Sequence, residues 1–101
     1  MAKTIEIVTF RLNDGVTHEE FLKETVDMET NFLGKLKGFM DRDTGVSDQE
    51  DWIVVLHWES PEDADASIAK FVDAPETQSF TALIDMDTFV MKRFELVDHY
   101  E

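Results

Sequence analysis

His57 is the side chain whose type and setting best suit proton transfer. It lies in the run Asp51 to Glu59, DWIVVLHWE, among apolar neighbours. An imidazole titrates near neutrality, so modest burial carries it across physiological pH. Facing a cavity it is a general base toward an acidic C–H or O–H. On a packed sheet face it is a hydrogen-bonded structural residue. Arg93 and Arg11 are the other polar groups on strand-like segments, and either could grip a carboxylate or phenolate through its guanidinium fork. Both also have a surplus of acids to pair with, because Asp and Glu outnumber Lys and Arg 23 to 9. The catalytic candidates are His57 and Arg93. A larger apolar set, Phe10, Phe32, Phe39, Trp58, Phe71, Phe80 and Met91, could line a pocket for a flat ligand. The same side chains serve equally as core, which a small domain needs.

Metal and phosphate chemistry find no support in the spacing. Asp41-Arg42-Asp43-Thr44-Gly45 resembles the start of a calcium loop but lacks the glutamate that closes it. His18, His57 and His99 fall on three separate elements, with no i,i+4 pair. Glu59, Glu62, Asp63 and Asp65 read as solvated charge at a helix start. No metal site and no cofactor is expected. A glycine-rich phosphate loop and a GxSxG elbow are also missing.

Composition bounds the setting of this chemistry. The 101 residues make one domain, 1–101, and 43% are apolar, enough for a modest core. A formal net charge of −14 repels phosphate backbones and anionic lipid, so neither nucleic acid nor a membrane is an expected partner. With no cysteine, thiolate chemistry and disulfides are out. No apolar run is long enough to span a bilayer, and the N-terminal alternation begins too early for a signal peptide. The expected location is cytoplasmic.

The elements that must position these residues follow from periodicity. Thr4 to Leu12 is rich in β-branched residues and reads as a strand, ended by a turn at Asn13-Asp14-Gly15. Thr17-His18-Glu19-Glu20 is a capping box. Behind it Phe21, Leu22, Thr25, Met28, Glu29, Phe32, Leu33 and Leu36 recur at helical spacing, with Gly34 and Gly38 at the far end. Phe39 to Thr44 is a short charged strand, and Gly45 is the expected pivot of a loose hairpin into Asp51 to Glu59. Ser60 and Pro61 then open a second helix with Ala64, Ile68, Phe71 and Val72 inward, interrupted at Pro75. A further helical segment uses Phe80, Leu83 and Ile84, and Thr88 to Val97 is the last strand. The order βαββαβ is the ferredoxin-like plan, an α+β fold whose four-stranded antiparallel sheet has helices on one face. Alternate residues of the third strand (Ile53, Val55 and His57 against Trp52, Val54, Leu56 and Trp58) are apolar on both faces. The face without helices therefore needs a cover, and an isologous homodimer supplies one.

On this plan the chain resembles the dimeric α/β-barrel superfamily, and within it the antibiotic-biosynthesis-monooxygenase-like domains. The likeness rests on Phe10-Arg11-Leu12 to Gly15 followed by Phe21-Leu22, on Gly38-Phe39, and on the junction His57-Trp58-Glu59-Ser60-Pro61-Glu62-Asp63-Ala64. It implies two sheets packed into a homodimeric barrel, with a ligand cavity between each sheet and its helices. The activities it implies include cofactor-free oxygenation of polycyclic phenols and haem degradation. The haem-degrading residue set does not carry over. Phe10 stands where its strand asparagine would be, the region near Ser67 has no tryptophan, and residues 75–84 have no histidine. Toward the polar set of the phenol-oxidising branch the chain offers Asn13, Asn31 and Tyr100. Two functions follow. One is a cofactor-independent monooxygenase-like enzyme for a small flat aromatic or enolisable molecule. The other is a non-catalytic ligand-binding or structural dimer.

Overall fold

The computed structural model describes residues 3–101. Four strands, β1 (Thr4–Leu12), β2 (Phe39–Val46), β3 (Trp52–Trp58) and β4 (Ile84–Glu95), form one antiparallel sheet in the order β2-β3-β1-β4. Helices α1 (His18–Asn31), α2 (Pro61–Asp73) and the short α3 (Gln78–Ala82) supply the crossovers, giving the ferredoxin-like fold. No helix among the described residues is long and apolar enough to cross a membrane.

Local chemistry sets the helix starts. Thr17 caps α1 by accepting from the Glu20 amide at 3.1 Å, and Glu20 returns the contact to the Thr17 amide. Ser60 caps α2, accepting from the Asp63 amide, with Pro61 in the first turn. The chain leaves α1 through a 3₁₀ turn at Leu33–Lys35 and reverses at Gly38, where φ is +83°. A Cβ on Gly38 would stand 2.6 Å from the Asp63 Cβ and closer still to its carboxylate. Asp63 cannot swing away freely, because Ser60 holds it through the cap. Gly15 has a similar φ of +86° with open space around it. Gly15→Ala therefore loses only the left-handed backbone penalty, about 1–2 kcal/mol. Gly38→Ala adds the clash and is expected to unfold at clearly lower urea than Gly15→Ala. Equal midpoints would show that Asp63 moves aside at no cost.

Strand parity, open from sequence, is settled by burial. Thr4, Glu6, Val8 and Phe10 of β1 and Trp52, Val54, Leu56 and Trp58 of β3 face the helices and are buried. Phe21 of α1 is completely buried between Phe10, Trp52 and Phe80, with ring centroids 4.8–5.5 Å away in tilted or edge-on contacts. On the open face lie Ile5, Ile7, Val55 and three more exposed residues, Ile53 (40%), Val90 (48%) and Phe94 (48%).

Several expectations need correction. Gly45 is not a hairpin pivot: β2 continues through it to Val46, and the reversal is made at Ser47 to Asp51, whose hydroxyl and backbone close the turn around Glu50. Leu22 and Val72 are exposed, not turned inward. Ile84 begins β4, four residues before the expected Thr88. Residues 86–89 form an irregular segment opposite β1, between Arg11↔Asp85 and Thr9↔Val90. It is closed by Arg11 N–H to Thr88 Oγ1 (2.8 Å) and by Thr88 to the Asp85 carbonyl. A second irregularity in β2 places one extra residue, Met40, between Phe39 and Asp41.

Candidate functional site

A cavity of about 320 Å³ lies between the helix-facing surface of the sheet and the helices. Its floor is Val8, Phe10, Val54, Leu56 and Trp58, and Met28 of α1 and Phe32 just beyond its end close it. Ile68 and Phe71 of α2 and Phe80 of α3 form the roof. The irregular stretch of β4 turns Met86 and Phe89 toward it, and Phe89 stacks on Phe10 at 6.4 Å. Exposed Val72, Gln78, Met86 and Met91 mark the mouth. Ser67 and Thr77 also reach the cavity, but their hydroxyls are spent on the carbonyls of Ala64, Phe71 and Ala74.

Two charged side chains interrupt this apolar lining. Arg42 of β2 has a side chain only 4% exposed. Its Nη1 donates to Glu29 of α1 at 3.0 Å, and its guanidinium lies 5.7 Å over the Phe80 ring. Burial pulls its affinity for the proton below the ordinary arginine value, opposed by the hydrogen bond and charge of Glu29. A guanidinium has five N–H donors, and Glu29 is the acceptor Arg42 meets among the described residues. Donors are thus left for a ligand. Glu6 of β1, also 4% exposed, accepts through Oε2 from Arg93 Nε at 2.9 Å. Arg93 Nη1 is bound in turn to Asp65 of α2. Burial opposes the Arg93 charge most strongly, yet the hydrogen bonds it donates to Asp65 and Glu6, with their charges, outweigh it and raise its proton affinity.

The sheet register places these groups in one row. Arg42 pairs with Leu56, Leu56 with Glu6, and Glu6 with Arg93. Two strand spacings put the Arg42 and Glu6 backbones roughly 10 Å apart, with Leu56 between them. The floor thus presents a cation and an anion across an apolar gap.

Six of the seven residues expected to line a pocket do so: Phe10, Phe32, Trp58, Phe71, Phe80 and Met91. Phe39 does not, packing edge-on against Trp58 at 5.5 Å from outside the lining. His57 lies on the opposite face of the sheet, its Nδ1 2.6 Å from Asp41 Oδ1, because the third strand's odd parity faces away from the helices. Arg93 is adjacent to the cavity and reaches it through Glu6. Arg11 sits on the open side, bound to Asp51 at 2.7 Å. Sequence reasoning missed both charged residues of the lining, Arg42 and Glu6. For Arg42 the available signal was Glu29, a charge on the otherwise apolar stripe of α1.

No protein-family model and no curated protein matches the sequence. Solved structures do match it in shape. SnoaB, a cofactor-independent oxygenase from Streptomyces nogalater, superposes with a TM-score of 0.77 at 13% identity, over 98% of this chain and 97% of that one. The fold is that of the antibiotic-biosynthesis-monooxygenase-like proteins. A monooxygenase from the ActVA-Orf6 gene of Streptomyces coelicolor, in complex with nanaomycin D, gives 0.76 at 14% identity over 99% and 92% of the two chains. A dimeric ferredoxin-like protein from Thermobifida fusca gives 0.71 at 15% identity over 94% and 92%. The match to each runs nearly end to end, so the expected βαββαβ plan and the monooxygenase-like likeness hold at the level of fold.

Proposed function

We propose that the protein is a homodimeric, cofactor-independent monooxygenase-like enzyme that takes a small, flat, aromatic or enolisable molecule. The observation that carries this reading is the buried Arg42 guanidinium, with unused donors, in the wall of an otherwise apolar cavity of about 320 Å³. Such a cavity accepts a planar apolar body and stabilises one oxygen anion at its edge. The likeness in fold to SnoaB supports the reaction class. In that class a ring-flanked CH₂ loses a proton and the carbanion combines with dioxygen. Loss of water then leaves a carbonyl, so that R₂CH₂ + O₂ gives R₂CO + H₂O with no outside reductant. The dimer is supported by the apolar open face around Ile53, Val90 and Phe94 and by the dimeric relative from Thermobifida fusca. In this assembly His57 and Asp41 belong to the subunit interface.

The non-catalytic reading keeps one observation in its favour: the carboxylate that lines the cavity, Glu6, is already paired with Arg93. Native mass spectrometry with 1,8-dihydroxyanthrone added under nitrogen, followed by admission of oxygen, separates the cases. A dimer holding one probe per protomer and consuming one O₂ per quinone formed is the expected result. Binding without oxygen uptake leaves a ligand-binding dimer. No binding removes the pocket reading altogether, and a monomer mass removes the dimer.

A further inference from the structure

We propose that Glu6 is the proton acceptor of this cavity, and that it works opposite Arg42 on molecules whose acidic C–H is conjugated to a carbonyl or phenolic oxygen. This rests on the ligand-binding reading above and adds to it a residue and a step. Glu6 is a carboxylate at a buried strand position whose neighbours on the same face, Thr4 and Val8, are uncharged. A carboxylate in such a place is costly unless paired, and an apolar residue of similar volume commonly serves stability as well or better. The manner of pairing also differs from that of a purely structural bridge. Arg93 does not close a two-pronged fork on Glu6. Its Nε meets Oε2 alone and its Nη1 is turned to Asp65, so that Oε1 accepts no hydrogen bond among the described residues. Arg93 is then a positioning residue, holding the carboxylate by one oxygen while the other stays available.

The row Arg42–Leu56–Glu6 gives this carboxylate a task. A flat molecule lying over Leu56 puts one edge toward Arg42 and the other toward Glu6. Oε1 takes the proton from the acidic C–H, and the C–H electron pair moves through the ring system onto the conjugated oxygen. The negative charge that Glu6 loses thus reappears beside the Arg42 donors. Charge is conserved, and no oxidant takes part in this step. Donors already fixed at the place where the anion develops lower the barrier without reorganisation.

Because proton removal precedes any reaction with oxygen, it can be read without turnover. The experiment follows loss of deuterium from the C10 position of 1,8-dihydroxyanthrone by NMR under nitrogen, with the affinity for the probe measured on the same samples. The wild type is expected to accelerate exchange about a hundredfold over buffer, the lower end of general-base catalysis. Glu6→Gln keeps an acceptor for Arg93 and is expected to fall to the buffer rate with affinity changed less than about threefold. Glu6→Asp preserves the charge should the amide misfold, but withdraws the carboxylate by one methylene, and is expected to slow exchange at least about tenfold. A bound probe that exchanges equally fast in the wild type and in the Glu6 variants overturns the assignment. So does a bound probe that exchanges no faster than in buffer. Failure of the wild type to bind the probe is a different outcome, and takes down the ligand-binding reading with it.

Discussion

Replacement of Arg42 by methionine is expected to weaken binding of a flat phenolate by roughly ten- to a hundredfold and to leave a neutral hydrocarbon of the same outline almost unaffected. The magnitude follows from one or two hydrogen bonds to a charged group, about 1.5–3 kcal/mol, where each 1.4 kcal/mol is tenfold in affinity. The variant keeps the bulk of the side chain beside Phe80 and removes only the donors and the charge. Removing one member of a buried pair is often severe because the other is left charged and dry. Here Glu29 is 34% exposed and can return to water, so the stability loss is expected to stay below about 2 kcal/mol. Isothermal titration with naphtholate and naphthalene on both proteins checks the prediction. An equal loss for both ligands would mean that Arg42 shapes the cavity and does not recognise charge.

The largest effect on stability is expected at Phe21. Its ring is fully buried and meets Phe10, Trp52 and Phe80, so it joins the sheet, α1 and α3 at one point. Phe21→Ala removes the transfer energy of a ring and leaves a void that these three aromatic neighbours cannot fill by small movements, a loss of about 3–5 kcal/mol. For a domain of this size that lowers the melting temperature by at least about 12 °C. Leu22, next in sequence and on the same expected apolar stripe, is 46% exposed. Leu22→Ala is therefore expected to lie within about 0.5 kcal/mol of wild type. Thermal unfolding followed by circular dichroism measures both, and similar losses for the two would contradict the burial described.

This pair of neighbours shows where helical periodicity stops being informative. An apolar stripe broad enough to include both residues tells that α1 packs on something. It does not tell where the stripe ends, because that depends on how far the sheet extends beneath the helix. The same holds in α2, where Ala64 is buried and Val72, on the same expected apolar stripe, is exposed.

The site residues were harder to read, for a reason that lies in strand parity. Arg42 reaches the cavity because Met40 is an extra residue in β2, between Phe39↔Trp58 and Asp41↔His57. Strict alternation from Phe39, whose partner Trp58 faces the helices, would send Arg42 to the open face and Asp41 inward. One added residue exchanges them. It also explains why Asp41 is available to His57 on the outer face. Nothing in the string Phe39-Met40-Asp41-Arg42 announces a bulge, since it costs little locally and is selected by the fit to β3.

By itself the sequence determined the elements, their order and the need for a cover over one sheet face. These follow from local signals: β-branched runs, the Thr17 and Ser60 caps, Pro75, and apolar residues on both parities of β3. Each acts within a few residues of its own position. It also determined that large aromatic side chains would meet between sheet and helices. The tertiary structure decided whether that meeting left a cavity, which parity faced it, and which charges lined it. Those outcomes depend on the register between strands and on two irregular pairings. They are set by side chains distant in sequence, such as Glu29 with Arg42 and Glu6 with Arg93, whose encounter no local pattern encodes.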